Sequence, residues 1–185
     1  MWKFFHRLAA VCAAVTAALL LGWLYTKSAV LETLLITAVT VLYHILMRMC
    51  VGNFWNARLH NHADYRRRWF QVSPREERLY RKLNVRRWKN KMPTYDPESF
   101  NSKTHSWDTL AQTTCQSELV HETNAVLSFL PLAAVPFAGG LPAFLVTSLL
   151  AAAADSLFVI MQRFNRGRMV QLIDHQQRRH EAAAL

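Results

Sequence analysis

Residues 8–24, LAAVCAAVTAALLLGWL, contain no charged side chain. No other feature constrains the fold as strongly, because an uncharged apolar block of this length has no place on a water-facing surface. Residues 33–47, TLLITAVTVLYHILM, carry His44 but no Lys, Arg, Asp or Glu, and residues 123–154 are equally free of these four. Gly139, Gly140 and Pro142 interrupt this last block near its middle. A helix rises about 1.5 Å per residue, so roughly 20 apolar residues cross the hydrocarbon layer. In lipid every backbone polar group must be satisfied within the chain, which makes helices the natural solution. The expectation is therefore an all-α integral membrane protein forming a single membrane domain over 1–185. Its four transmembrane helices fall at about 6–25, 29–48, 121–138 and 142–162. The first block also has the outline of a signal peptide, with MWKFFHR as basic start and TKSA as cleavage end. Its apolar run is long for one, and a retained first helix is expected.

Charge sets the orientation. The chain has 22 Lys and Arg and a net charge of +10, yet half of it is hydrophobic. Thirteen of the basic residues lie in 51–120 and five in 163–179. The loop at 25–31 holds only Lys27, and 139–141 holds none. Basic loops stay in the cytoplasm. This predicts a multi-pass protein of the cell inner (plasma) membrane, with both termini and the connector at about 51–120 cytoplasmic. Basic residues flanking spans suit anionic lipid headgroups as partners and give no reason to invoke nucleic acid. The pattern specifies no oligomeric state. Cys12, Cys50 and Cys115 lack CxxC spacing, so neither a disulfide framework nor a zinc site is indicated. The final EAAAL, 181–185, reads as a frayed helix end.

The connector carries its own signals. In SPREERLYRKLNV, Ser73 precedes Pro74 and stands three residues before Glu76, the pattern of a capping box with proline at the first helical position. Leu79 and Leu83, with Tyr80 beside them, give a short amphipathic helix suited to a membrane surface. DYRRRWF and VRRWKNKMP mix tryptophan with basic residues, as interfacial segments do. Pro93 and Pro97 mark a turn region. SWDTLAQTTCQSELVHETN starts a helix at Ser106 that runs toward the third span.

On that helix Glu118 and His121 are three residues apart and share a face. A carboxylate beside a histidine orients the ring and raises its basicity, as a general base requires. The plainer alternative is a solvated pair at a helix start. Asp155 lies inside the fourth span, on the same face as Gln162, and a carboxylate there calls for either function or an arginine partner. His44, near the end of the second span, suits an interhelical hydrogen bond or a substrate contact. Glu118-x-x-His121 also matches half of a di-iron site, with His60, His62 and Asp64 as further ligands. A second such pair is missing, and no metal or other cofactor is expected. Cys115 stands about 120° from His121 around a regular helix, too far round for direct activation.

VRRWKNKMP (85–93), CQSELVH (115–121) and QRFNRGR (162–168) together resemble the glycosyl-4,4'-diaponeurosporenoate acyltransferases of bacterial membranes. Those proteins carry a W-K-x-x-x-P stretch, an E-T-x-x-x-E-x-x-H stretch and a Q-R-Y-N-R-x-R stretch in that order. The resemblance runs from about residue 54 to 172. It implies transfer of a fatty acyl group to a hydroxyl of a glycolipid-like or isoprenoid-glycoside acceptor, with a membrane lipid or glycolipid as substrate. Acyl-CoA is the donor this suggests. The implied catalytic residues are His121 and Glu118. The substrate-binding candidates are Trp88, Lys89, Gln162, Arg163, Asn165, Arg166, Arg168, Asp155 and His44, with Pro93 completing the first motif. Arg163, Arg166, Lys89 and Arg87 are the cations available to an oxyanion or to donor phosphates. Gln112, Glu122, Asp155, Leu157 and Phe164 stand where the family pattern has glutamate, an aromatic, asparagine, proline and tyrosine. Two other readings stay open, a non-enzymatic membrane scaffold or assembly factor and a metal-dependent membrane oxygenase.

Overall fold

The computed structural model describes residues 2–93 and 97–183. Regular structure among them is helical throughout: α1 (Trp2–Thr26), α2 (Ala29–Leu59), α3 (Pro74–Lys82), α4 (Val85–Trp88), α5 (Trp107–Leu127), α6 (Val135–Ala138) and α7 (Leu141–Ala183). Short 3-10 turns lie at Arg68–Phe70, Lys89–Lys91, Glu98–Phe100 and Leu130–Ala134. The residues group into two compact units. One takes in Met1–Phe54 and Glu122–Ser156, the other Trp55–His121 and Leu157–Leu185.

Three helices, α1, α2 and α7, are long and apolar enough to cross a membrane. In the first unit they expose large apolar side chains such as Leu21, Val30, Val146 and Leu150. Water would not tolerate that surface, and acyl chains would. Threonine hydroxyls within these helices return to their own backbone: Thr16 donates to the Cys12 carbonyl, Thr37 to Thr33, Thr40 to Ile36 and Thr147 to Ala143. Ser148 Oγ in α7 is buried without a hydrogen-bond partner among the described residues.

The expected third span, 121–138, is not one helix. α5 ends at Leu127, and a 3-10 turn and the four-residue α6 follow. Proline is the cause. Pro131 has no N–H to give the Leu127 carbonyl four residues back, and its ring would strike it. The Tyr43 hydroxyl donates to that carbonyl instead, at 2.8 Å. Pro136 repeats the break, and Val135 donates to the Leu132 carbonyl as the turn closes. The chain then passes Gly139 and Gly140 at φ 64° and 66°. A Cβ on Gly140 would stand 2.8 Å from Ile36 Cδ1, so the turn into α7 requires glycine.

The helices that carry the expected second and fourth spans run on beyond the apolar blocks. α2 continues to Leu59 rather than 48, and α7 extends over 43 residues, about 65 Å, rather than stopping at 162. α7's helix persists through Ala183, while Ala184 and Leu185 of the EAAAL end lie outside the described residues.

Of the readings open for Asp155, the structure shows the arginine partner. Arg48 pairs with its carboxylate and also donates to the carbonyls of His44 (3.0 Å) and Ala151 (3.4 Å). His44 departs from expectation. Its ring meets Tyr43 edge-on at 5.4 Å, and neither ring nitrogen has a hydrogen-bond partner among the described residues.

Candidate functional site

The second unit is built by the connector closing on parts of α5 and α7. α2 ends where His60 and Asn61 take positive φ. His60 N donates to Asn56 O, His62 N to Leu59 O, and Asn61 N to the Gln116 side chain of α5 at 2.7 Å. HNHAD is thus a helix-ending turn. No group of three or more His, Cys, Asp or Glu able to hold a metal is found among the described residues. Tyr65 donates to Asp108 at 2.8 Å, and Ala63, Tyr65, Phe70, Ala111, Cys115 and Ile173 form the core. Burial pushes the Cys115 thiol up to about 12, which leaves no thiolate nucleophile at neutral pH.

α3 starts as its sequence dictates. Ser73 N donates to Glu76 Oε2 at 2.8 Å and Glu76 N to Ser73 Oγ at 3.3 Å, the reciprocal capping box, with Pro74 in the first turn. The remaining Glu76 oxygen accepts from Arg163 Nε at 2.8 Å. Burial alone would raise this carboxyl. The Ser73 N–H and the Arg163 guanidinium outweigh it and hold Glu76 below its ordinary value.

α5 starts at Ser106, whose Oγ accepts from Thr109 N at 3.2 Å. Leu110, Ala111, Thr114, Cys115 and Glu118 then fall on one buried stripe. Glu118 is 0% exposed, and a carboxylate there needs compensation. α7 supplies it. Arg163 Nη1 lies 2.5 Å from Oε1, and Arg166 Nη2 faces Oε2. Burial pushes the Glu118 carboxyl upward, and the two guanidiniums pull it back.

The arginines do more than neutralise. Arg163 also donates to the carbonyls of Trp69 and Gln71, both at 3.0 Å, so four of its N–H groups are committed to the protein. Arg166 Nε donates to the Phe70 carbonyl at 3.0 Å, and the guanidinium lies over the Phe70 ring at 5.2 Å. Residues 69–71 are thereby clipped onto α7 through three consecutive carbonyls. Arg166 Nη1 has no hydrogen-bond partner among the described residues.

His121 is half-buried one turn beyond Ser117, and its ring stacks on Phe158 at 4.5 Å, 7° from parallel. Gln162 Nε2, one turn beyond Phe158, donates to Ser117 Oγ at 3.0 Å. The pairs 121–158 and 117–162 set α5 and α7 antiparallel here. Gln162 Oε1 is buried without a partner among the described residues. Gln162 lines a cavity of about 190 Å³ with Lys89, Met92, Phe100, Met161 and Asn165. Lys89 Nζ donates to Asn165 Oδ1 at 2.6 Å. Burial lowers the Lys89 amine, and the charges of Arg168 and Arg86 lower it further.

Of the residues singled out in the sequence, the structure thus gathers Glu118 with Arg163 and Arg166, His121 with Phe158, and Gln162 with Lys89 and Asn165. Trp88 instead closes the corner between α3 and α4, its Nε1 donating to the Leu83 carbonyl at 3.1 Å. Arg87 is exposed, and Arg168 lines a second cavity. Glu76, Ser117 and Phe158 were not singled out as site residues. Glu76 was legible only as a cap, and the other two carry no local signal.

These features define a helical protein with the means to cross a membrane and a polar, cation-rich site built on α5, α7 and the connector. The chain belongs to the glycosyl-4,4'-diaponeurosporenoate acyltransferase family, which it matches over residues 65–175, more than half its length. The match takes in His121, Glu118, Lys89 and the whole of 162–168. No curated protein and no solved structure matches the chain. Its family is therefore one of acyltransferases in carotenoid-glycoside biosynthesis.

Proposed function

We propose that this protein moves a fatty acyl group from an activated thioester donor to a hydroxyl of a glycolipid-like or isoprenoid-glycoside acceptor, at the cytoplasmic face of the inner membrane. Family membership over the stretch containing His121 and its neighbours is the observation that carries the reading. In this reading the His121 imidazole takes the proton from the acceptor hydroxyl. The oxygen forms a bond to the acyl carbonyl carbon, the carbon–sulfur bond breaks, and the departing thiolate takes up the proton. The products are an ester and a free thiol, and no cofactor enters the balance.

Lys89 and Gln162, which line the small cavity, supply N–H donors for the carbonyl oxygen as charge develops. Phe158 fixes the plane of the imidazole. Glu118 acts as a positioning residue: it holds Arg163 and Arg166, and with them the backbone on which the site is assembled. This departs from direct orientation of His121 by Glu118, because both carboxylate oxygens face guanidinium groups. The acceptor's apolar body would lie against the lipid-facing helices, and the basic connector would meet anionic headgroups.

Lipid mass spectrometry of cells with and without the protein tests this. The reading requires a glycolipid heavier by one acyl chain only in cells that make the protein. Identical glycolipid profiles would contradict it.

A further inference from the structure

The unit's larger cavity, about 370 Å³, is lined by Tyr80, Arg81, Asn84, Arg86, Phe164 and Arg168. Its size falls in the range of ligand pockets, about 300–1,000 Å³. Tyr80 and Phe164 form an aromatic wall, their rings edge-on at 6.3 Å. Burial raises the Tyr80 phenol to about 12, so that wall stays uncharged at neutral pH.

Three guanidiniums thus border one space, and none is ion-paired among the described residues. Arg163 and Arg166 face Glu76 and Glu118, and Arg66 pairs with Asp174. Arg81, Arg86 and Arg168 have no acidic partner among the described residues. Lys89 adds a fourth cation, its Nζ 5.4 Å from the Phe164 ring centroid. Burial, and after it the charges of Arg168 and Arg86, depress the Lys89 amine. Like charges repel unless an anion or solvent screens them.

We infer that the cavity bordered by Arg81, Arg86 and Arg168 is a binding site for a phosphate or diphosphate group. Guanidinium forks match phosphate oxygens two at a time, and Asn84 adds a neutral donor. The aromatic wall suits a flat ring attached to the phosphate. Two sources carry this chemistry, the phosphorylated handle of a soluble acyl donor and the headgroup of an anionic lipid. If the donor is the source, the inference rests on the proposed function. Lys89 lines the smaller cavity, and its Nζ lies 5.4 Å from the centroid of the Phe164 ring that lines the larger one.

The test uses the full chain in detergent and in nanodiscs. Adenosine 3',5'-bisphosphate and inorganic pyrophosphate are titrated calorimetrically. Retention of phosphatidylglycerol against phosphatidylcholine is measured in parallel. A soluble source predicts saturable binding of the bisphosphate that Arg86→Gln and Arg168→Gln each weaken about tenfold. A lipid source predicts no soluble binding, but a preference for phosphatidylglycerol that the same substitutions erase. Both arginines are exposed, so the variants should fold, and Arg81→Gln provides an independent third. Binding and lipid preference that all three substitutions leave unchanged would overturn the inference. Neither arm needs catalysis, so arginine-dependent binding in a native protein that transfers no acyl group would sink only the proposed function, and transfer without arginine-dependent binding would sink only this site.

Discussion

Glu118 on α5 and Arg166 on α7 form an ion pair closed to water, their side chains 0% and 1% exposed. Together with Arg163 the pair ties α5 to α7 and to the backbone at 69–71. Removing one partner of such a pair strands the other charge, at a cost of about 3–5 kcal/mol. Glu118→Gln should therefore lower unfolding stability by about 3 kcal/mol, measured by denaturant titration in detergent. Adding Arg166→Met to it should recover part of the loss. A change below about 0.5 kcal/mol for the single variant would mean the pair is exchanging with solvent.

The α3 cap gives a second handle. Ser73→Ala removes one half of the reciprocal capping box and should cost about 1 kcal/mol. Glu76 adds a pH dependence. Its folded carboxyl titrates below its ordinary value of 4.5, so its contribution is complete above that pH and is lost as pH falls through the folded pKa. Stability measured from pH 7 downward should fall more steeply below 4.5 in the native protein than in Glu76→Gln. Parallel curves would remove Glu76 from the account.

Lys89 should react with amine reagents at lower pH than the other lysines. Burial, then Arg168 and Arg86, depress its amine, so the nucleophilic free base appears earlier in a pH series. Arg168→Gln removes one cause and should shift the labelling profile upward. Site-resolved acetylation read by mass spectrometry measures both. A Lys89 profile coincident with that of Lys103 would contradict the electrostatics.

Cys115 is enclosed and its thiol raised to about 12, whereas Cys50 is exposed. Maleimide should label Cys50 quickly and Cys115 only on unfolding. Cys115→Ala should retain acyl transfer, at a modest cost in stability for the lost core volume. Abolished transfer in a folded Cys115→Ala protein would reinstate a thiol mechanism.

What could be read from the chain divides along sequence distance. The Ser73–Glu76 cap and the α5 start at Ser106 were legible because each rests on local spacing, and an arginine partner was one of the readings that the charge of Asp155 left open. That the arginine is Arg48, 107 residues away, was not legible. Nor were the links from Arg163 to Glu76 and to the Trp69 and Gln71 carbonyls, since nothing local ties QRFNRGR to residues 87, 94 and 92 positions earlier. The break of the expected third span at Pro131 was present in the sequence. Apolar composition masked it, because hydropathy counts proline's surroundings and not its missing N–H. The helices of the expected second and fourth spans run on past 48 and 162 because a helix stops where its hydrogen bonding stops, not where its apolar residues do.

Acyl transfer turns on the His121 imidazole accepting the proton of the acceptor hydroxyl. The most direct measurement is acyl transfer by purified His121→Ala protein, with thermal unfolding recorded on the same sample. The account predicts a protein that melts like the native one and forms less than about 1% of the acylated product, a loss typical of a missing general base. A folded His121→Ala protein that still makes product at the native rate would contradict it.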